Sequence, residues 1–287
     1  MMENKCKRIL TIQDFSGFGH TSLMAYIPIM YRLGIRVCAL PSAYLSANTD
    51  YPEPIWIDMS SYLEKINAHW QKIGFSFDAI SSGFLASPAQ VKQIGKMIAS
   101  WRDKVKLVLI DPVMGDYGKL YSGYDQKMIG AMRELIGLAD IITPNYTEAC
   151  WLAKQEIKKL SEENEVLDCC RKISEYGPSH LVVTSVPNTD SDSLKVMHYD
   201  AKLDKLTTYP FVKKNGIYPG AGDCFSALLL AGLVNGYSFN ASIKATIIII
   251  SQAIEEPMIE GTDWREGLPL EKIIDWDLKS FYSRFDA

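Results

Sequence analysis

The sequence of 287 residues contains no block of basic residues, and its formal net charge is −4. A nucleic-acid partner or an anionic membrane surface therefore has no electrostatic support. The longest apolar stretch, around residues 247–250, is too short to span a bilayer. The polar and basic residues 1–8 lack the apolar core and the cleavage site of a signal peptide. We therefore expect no nucleic-acid partner and no membrane partner.

The six cysteines and four histidines form no recognisable ligand or disulfide pattern. No C-x-x-C pair occurs, Cys169 and Cys170 are adjacent, and the histidines do not have the spacing of a metal site. These features favour a protein of the reducing cytoplasm. Cys224 lies at a predicted helix start, where a thiolate would be stabilised, but a small core residue is the simpler interpretation.

The composition, 47% hydrophobic and 22% charged, is that of an ordinary globular protein, and the length suits a single domain of residues 1–287. Short strands alternate with amphipathic helices, which predicts an α/β fold with a mostly parallel central sheet and helices on both faces. The predicted strands are 8–13, 35–40, 78–81, 106–110, 140–143 and 181–184, with a hairpin of 196–199 and 206–209. The predicted helices are 21–33, 55–73, 87–101, 125–137, 161–176 and 240–255, and another follows Gly222.

A glycine turn, Gly220-Ala221-Gly222, stands before this last helix and is followed directly by Asp223. A glycine turn that leads into a helix leaves the first N–H groups unpaired, and with the helix dipole these donors form an anion site. A carboxylate beside an anion site fits a base that takes the proton of a hydroxyl attacking a phosphoryl group. The second interpretation is a structural turn with Asp223 as an N-cap, because short glycine motifs recur by accident.

Polar residues follow most of the predicted strands, at the sheet edge where α/β proteins bind their ligands. They are Gln13-Asp14, Ser82-Gly83-Phe84, Asp111 to Asp116, Thr143 to Glu148, and Thr184-Ser185. The carboxylates Asp111, Asp116 and Glu148 are hard oxygen ligands of the kind that Mg²⁺ prefers. Two structural alternatives remain open: Asp111-Pro112 can start a turn, and Asn145 with Glu148 can cap a helix.

Residues 41–54 carry serine, asparagine, threonine and two terminal prolines without periodicity. This composition predicts a loop or a flap, and such segments often carry functional residues. An ordinary surface loop is the alternative.

These stretches together resemble the ribokinase-like superfamily, and specifically its pyridoxal (vitamin B6) kinase branch. The similar segments run in the family's order from about residue 8 to residue 235. They are Ile12-Gln13, Ser46 to Tyr51, Asp111-Pro-Val-Met-Gly-Asp116 with Gly118 to Tyr121, Ile141 to Asn145 with Glu148, Val183 to Ser185, and Gly220 to Asp223.

The resemblance implies a three-layer ribokinase-like fold and a kinase that moves the γ-phosphoryl group of ATP to the 5′-hydroxymethyl group of a small pyridine alcohol. It implies Asp223 as the base and Gly220, Ala221 and Gly222 as the cradle of the transferring phosphoryl group. It also implies an ATP site of Asp111, Asp116, Tyr121, Thr143, Asn145, Thr184 and Ser185. The implied Mg²⁺ ligands are Glu148 and Asp111, and the implied substrate pocket contains Asp14, Thr49, Phe84 and Asp223. A homodimer is the common state of the family.

Two positions depart from the family pattern. Position 14 is aspartate where serine is usual, which suggests either a contact that favours pyridoxamine or a cap of the following loop. Position 221 is alanine where pyridoxal kinases often have threonine, so that a hydroxyl contact is lost. A hydroxymethylpyrimidine (phosphate) kinase and an inactive nucleotide-binding regulator are the alternative functions.

Overall fold

The computed structural model describes residues 6–158, 162–188, 193–213, 216–257 and 259–286. The chain forms two compact units, which we call unit 1 (residues 1–79 and 215–287) and unit 2 (residues 80–214). The single domain expected from the length stays a prediction. No helix in the described ranges is both long and apolar enough to cross a membrane.

Within the described ranges, the strands are β1 (Lys7–Ser16), β2 (Ile35–Leu45), β3 (Trp56–Asp58), β4 (Ala79–Ser82), β5 (Leu107–Ile110), β6 (Gly115–Asp116), β7 (Lys119–Leu120), β8 (Ile141–Ile142), β9 (His180–Pro187), β10 (Ser193–Asp200) and β11 (Lys205–Val212). The helices are α1 (Ser22–Arg32), α2 (Ser60–Lys72), α3 (Pro88–Trp101), α4 (Gln126–Ile136), α5 (Tyr146–Ala153), α6 (Glu163–Ser174), α7 (Ala221–Asn235), α8 (Phe239–Glu255), α9 (Leu270–Asp275) and α10 (Leu278–Ser283). The alternation of strands and helices confirms the α/β class. The predicted start of α6, Ser161, lies outside the described residues.

In unit 1, β1 and β2 run parallel, and β3 pairs with β2 in the antiparallel direction. Strand β1 is buried from Ile9 to Asp14, a stretch in which the polar Thr11, Gln13 and Asp14 are buried together with three apolar residues. Helix α1 packs on β1 and on α7, and α7 packs on α8. The apolar length of α7 is therefore explained by burial on several sides, because Cys224 to Gly232 are all buried. The placement of Cys224 in the core agrees with the simpler sequence interpretation.

In unit 2, the strand order is β4-β5-β8-β9-β10-β11. Strands β5, β8 and β9 are parallel neighbours, and β9, β10 and β11 alternate in direction. The predicted hairpin is therefore confirmed as β10 and β11. Because parallel strands end at one edge, the residues that follow β5 and β8 and the later part of β9 gather there.

Several boundaries differ from the sequence expectation. Residues 14–16, expected in a loop, belong to β1, and residues 41–45, expected in the flap, belong to β2. The two strands pair with a shift in register between Gln13 and Phe15, and such a bulge accommodates Pro41. Residues 56–58, expected in a helix, form the edge strand β3. The two-residue strands β6 and β7 were not expected, because their pairing depends on a local turn with positive φ at Tyr117 and Gly118.

Candidate active site

The glycine turn of unit 1 leads directly into α7. Gly220 has a φ of +76° and is the N-cap of the helix. A Cβ atom at this position would lie 2.1 Å from the carbonyl oxygen of His20, so that no other residue fits without a shift of the backbone. Asp223 is the third residue of α7 and not its N-cap. The structural alternative for the glycine motif is thus right about the turn and wrong about the aspartate.

The first turn of α7 offers donors to solvent. The N–H of Ala221 donates to the carbonyl of Tyr218 at 3.1 Å, and the N–H of Cys224 donates to Gly220 at 2.8 Å. Among the described residues, no acceptor is found for the N–H groups of Gly222 and Asp223. A Cβ atom at Gly222 would meet no atom of the described residues within 4 Å. An anion could therefore approach these two N–H groups closely.

Asp223 is held by the start of α1. Its Oδ2 atom accepts the backbone N–H of Ser22 at 2.8 Å. The pKa of Asp223 is raised to about 7, mainly by burial; the Ser22 N–H opposes this rise, and the charge of Asp14 contributes to it. A carboxylate with this pKa exchanges its proton near neutral pH, as a general base must.

Asp14 is buried at the end of β1 and faces two hydroxyl groups. Ser16 donates to its Oδ2 atom at 3.0 Å, and Ser22 donates to its Oδ1 atom. Burial raises the pKa of Asp14, whereas both hydroxyls and its own backbone lower it. The structure thus brings Asp14 and Asp223 together through Ser22, a residue that the sequence analysis missed. The available signal was a hydroxyl residue at a helix start just after a glycine-containing loop.

In unit 2, Asn145 and Glu148 form a capping box at the start of α5. The Asn145 side chain accepts the Glu148 N–H at 3.0 Å, and Glu148 Oε2 accepts the Asn145 N–H at 2.9 Å. The helix-cap interpretation of this pair is therefore confirmed. Glu148 also contacts the segment that follows β5, where its Oε1 atom accepts the N–H groups of Met114 at 2.8 Å and Gly115 at 3.4 Å. The Asn145 amide in turn donates to the Gly115 carbonyl at 2.8 Å.

The carboxyl group of Glu148 is buried, and no cationic side chain of the described residues is bonded to it. Burial raises its pKa to about 8, its backbone donors lower it, and the charge of Asp116 raises it. Burial also raises the pKa of Asp116. Two carboxyl groups with raised pKa values form a place where a cation would be stabilised. Within the described ranges, however, no group of three or more His, Cys, Asp or Glu side chains is close enough to hold a metal ion.

The remaining predicted nucleotide residues lie around this pair. Asp111 follows β5, is buried, and its N–H donates to the Ser82 carbonyl at 2.8 Å. Thr143 follows β8, and its buried hydroxyl has no hydrogen-bond partner in the part of the chain that the structure describes. Thr184 forms a parallel bridge with Asn145. The other two lie nearer the surface: Ser185 is exposed with a φ of +55°, and Tyr121 is 41% exposed.

The two other predicted substrate residues are aromatic and hydroxyl side chains in different units. Phe84, in unit 2, stacks on Tyr124 with ring centroids 5.8 Å apart. Thr49, in unit 1, is exposed in the segment that follows β2. That segment is closed at its base, because the Ser46 N–H donates to the Ile55 carbonyl at 2.9 Å and the Ile55 N–H donates to the Ser46 hydroxyl at 2.8 Å.

Comparison with known proteins places the chain in a family. The family model described as phosphomethylpyrimidine kinase matches residues 55–265, more than half of the chain. The crystal structure of a candidate phosphomethylpyrimidine kinase from Bacteroides thetaiotaomicron, with pyridoxal, is 35% identical, has a TM-score of 0.91 and is covered over 96% of both chains. Pyridoxal kinase PdxY from Paraburkholderia xenovorans is 28% identical over 264 residues, which are 87% of this chain and 88% of the relative.

A second solved structure supports the fold. Pyridoxal kinase from Lactobacillus plantarum is 27% identical, with a TM-score of 0.86 over 98% of both chains. The predicted ribokinase-like α/β fold is therefore confirmed. The chain belongs to the family described by the phosphomethylpyrimidine kinase model and, within the ribokinase-like superfamily, to the pyridoxal kinases.

Proposed function

We propose that this protein transfers the γ-phosphoryl group of ATP to the 5′-hydroxymethyl group of a B6 vitamer, which is pyridoxal, pyridoxine or pyridoxamine. Its purpose is the salvage of vitamin B6. The observation that carries the proposal is Asp223, a half-buried carboxylate one residue past a glycine turn, whose pKa is raised to about 7. The pyridoxal bound in the 35% identical relative gives the class of acceptor.

Asp223 acts as the general base. Its Oδ2 atom accepts the Ser22 N–H, and no donor to Oδ1 is found among the described residues, so that Oδ1 takes the proton of the 5′-hydroxyl group. The hydroxyl oxygen then forms a bond to the γ-phosphorus atom as the bond between this atom and the bridging oxygen to the β-phosphate breaks. ADP leaves with the electron pair of the broken bond. The proton remains on Asp223 until solvent removes it.

The start of α7 holds the transferring phosphoryl group. Of the proposed cradle Gly220-Ala221-Gly222, the first residue fixes the turn and the last leaves space for the ligand. The N–H groups of Gly222 and Asp223 are the donors without an acceptor in the described residues, whereas the Ala221 N–H is occupied by Tyr218. The positive end of the helix dipole adds to the stabilisation of the phosphoryl oxygens.

ATP is assigned to the polar residues of unit 2: Asp111, Asp116, Tyr121, Thr143, Asn145, Thr184 and Ser185. Mg²⁺ fits the raised pKa values of Glu148 and Asp116, because a cation nearby would stabilise both ionised forms. Both Glu148 oxygens already accept backbone N–H groups, so Glu148 would hold the ion through water and Asp111 would be the second protein group. When bound, Mg²⁺ neutralises charge on the phosphates.

Asp14, Thr49 and Phe84 are proposed to face the pyridine on the basis of the family resemblance. Asp14 lies at the carboxyl end of β1, where α/β sheets bind ligands. A homodimer in the cytoplasm is proposed on the same resemblance, and the six free cysteines fit a reducing compartment. Sedimentation velocity at several concentrations tests the dimer.

One assay separates this function from its alternatives. The purified protein is incubated with ATP, Mg²⁺ and, one at a time, pyridoxal, pyridoxine, pyridoxamine or hydroxymethylpyrimidine, and ADP release is measured with the phosphorylated product. We expect the highest kcat/KM with a pyridine. A higher value with the pyrimidine would support the alternative that the family model's description favours. If ADP is not released with any of the four acceptors, the result would support an inactive nucleotide-binding regulator.

A further inference from the structure

Ser22 makes two hydrogen bonds that join the buried Asp14 to the half-buried Asp223 in unit 1. Its backbone N–H donates to Asp223 Oδ2 at 2.8 Å, and its hydroxyl donates to Asp14 Oδ1. The same residue therefore orients the proposed base with its main chain and is itself fixed by its side chain. Asp14 stands where the family usually has serine, so this arrangement depends on the residue at which the sequence departs from the pattern.

The backbone of Ser22 is held in an unfavourable conformation. Ser22 is the first residue of α1, and its φ is +50°, in the left-handed region that favours glycine. Such a conformation persists only where the surrounding structure imposes it. The hydroxyl bond to Asp14 supplies such a restraint, because Asp14 is buried and its backbone is fixed in strand β1.

We infer that Asp14 and Ser22 are positioning residues for Asp223: Asp14 anchors the Ser22 hydroxyl, and the left-handed Ser22 directs its N–H at one oxygen of the base. This inference deepens the proposed function, on which it rests. It gives the unusual aspartate a role that does not require contact with the vitamer. Without the anchor, Ser22 would relax toward negative φ, and the carboxylate of Asp223 would lose its donor.

The charge of Asp14 has a second effect. In the described part of the chain, Asp14 on β1 is the ionisable group whose charge shifts the pKa of Asp223, and this charge raises that pKa. Both hydroxyl partners of Asp14 can donate to it, which suits the ionised form. Asp223 is itself the charged residue of α7, and the causes of its shift do not include Arg32 of α1 or His20 of the 17–21 loop. Removal of the Asp14 charge should therefore move the acid limb of kcat to lower pH.

The experiment compares three serine variants with equal loss of a hydroxyl group. Ser22→Ala should lower kcat about tenfold with KM values for ATP and vitamer little changed, because alanine disfavours the left-handed conformation. Ser22→Gly also lacks the hydroxyl but adopts positive φ freely, so it should stay within about threefold of the parent. The matched control is Ser16→Ala, which removes the other hydroxyl on Asp14 without touching Asp223 and should change kcat by less than about twofold.

The pH profile gives the second readout. Asp14→Asn keeps hydrogen-bonding groups at the site and removes the charge, so the acid limb should move down by about half a unit or more. The same shift should appear when the Asp223 carboxyl carbon is titrated by ¹³C NMR, which needs no turnover. The ratio of kcat/KM for pyridoxamine and pyridoxal should stay constant. A falling ratio with an unmoved limb would instead make Asp14 a vitamer contact.

Several outcomes would overturn the inference. Equal loss of activity in Ser22→Ala and Ser22→Gly would show that the backbone conformation is not what the hydroxyl supports. If kcat fell as much in Ser16→Ala as in Ser22→Ala, both serines would act only by stabilising the fold. The melting temperatures of both variants would then also fall. Failure of the proposed function is distinct, because the parent protein would then phosphorylate none of the acceptors while the NMR titration still tests the link between Asp14 and Asp223.

Discussion

Asp223 in unit 1 and Glu148 in unit 2 occupy the same local position in different settings. Each is the third residue of its helix, α7 or α5, but Glu148 is buried whereas Asp223 is half-buried. Burial raises the pKa of Asp223 to about 7 and that of Glu148 to about 8. In both groups, backbone N–H donors lower the pKa and so oppose the effect of burial. The proton affinities of the two groups are thus similar.

Their hydrogen bonds differ. The two oxygens of Glu148 accept three backbone N–H groups: that of Asn145 within the capping box, and those of Met114 and Gly115 after β5. Asp223 accepts the N–H of Ser22 alone among the described residues. Glu148 therefore has most of its acceptor capacity occupied by backbone donors, whereas Asp223 has one oxygen without a donor in the described residues and can accept a proton from a ligand there. Burial sets the pKa, and the number of donors decides how the group can be used.

The largest expected effect comes from Asp223→Asn, which removes the base. It should lower kcat by about 10²–10⁴ with little change in ATP binding. In the parent, kcat should rise with pH through about 7, because the base must be deprotonated. Because the pKa of Asp223 is higher in the folded state than in the unfolded state, the parent loses stability as pH rises from the unfolded pKa through about 7. Asp223→Asn removes this loss, so the variant should be at least as stable to urea as the parent at pH 8.

Steady-state kinetics, ATP titration by calorimetry and urea unfolding check this prediction. Glu148→Gln is the comparison variant, because it alters the other carboxyl group. Turnover of Asp223→Asn at the parent's rate would show that Asp223 is not the base.

The next effect concerns the two glycines before Asp223. Gly220→Ala should destabilise the fold and lower kcat more than tenfold, because its Cβ atom would lie 2.1 Å from the His20 carbonyl and the φ is +76°. Gly222→Ala meets no atom of the described residues within 4 Å, so its stability should equal or exceed the parent's. Its kcat should nevertheless fall about tenfold if the phosphoryl group sits against this residue.

Melting temperatures separate the two glycine variants, and kinetics then test the cradle. A Gly222→Ala protein with normal stability and normal kcat would contradict the proposed position of the phosphoryl group.

Most of the fold could be predicted from local signals. The Ser87 cap with Pro88, the capping box at Asn145 and the glycine turn at Gly220 each depend on neighbours within three or four residues. Residues 14–16 and 41–45 were assigned to loops because their strand state comes from pairing between β1 and β2, which no local pattern encodes.

The site shows the same division. Asp223 and Glu148 were found from motifs, but Ser22 contacts Asp223 across 201 positions and Met114 contacts Glu148 across 34. Such contacts depend on which strands and helices become neighbours. The helix-cap and the metal interpretations of Glu148 were set against each other at the sequence level. The structure confirms the cap and leaves an ion held through water as a proposal, since one carboxylate can serve both.

A smaller effect is expected for Glu148→Gln. The amide would place an NH₂ group against a backbone N–H, and the negative charge near the proposed ion would be lost. We expect a several-fold higher Mg²⁺ concentration for half-maximal rate, whereas the ion requirement of the Gly222→Ala control should equal that of the parent. An unchanged Mg²⁺ titration would reduce Glu148 to helix capping.

The smallest effect is expected in the segment of residues 46–55. Its base is closed by the Ser46 and Ile55 hydrogen bonds, Asn48 donates to the Arg265 carbonyl at 2.7 Å, and Arg265 lies over the Tyr51 ring at 4.4 Å. A segment tied at three points has few residues left to move, and exposed Thr49 is one of them.

Thr49→Ala should therefore raise KM for the vitamer about twofold to fivefold and leave KM for ATP unchanged, since one exposed hydroxyl contact contributes about 1 kcal/mol or less. Thr49→Ser, which keeps the hydroxyl and removes the methyl group, is the matched control and should behave as the parent. Steady-state kinetics with both substrates varied measure the two KM values. Equal small changes in the two KM values would show that residues 46–55 are an ordinary surface loop. A loop without a vitamer contact would affect the binding of the vitamer and of ATP alike.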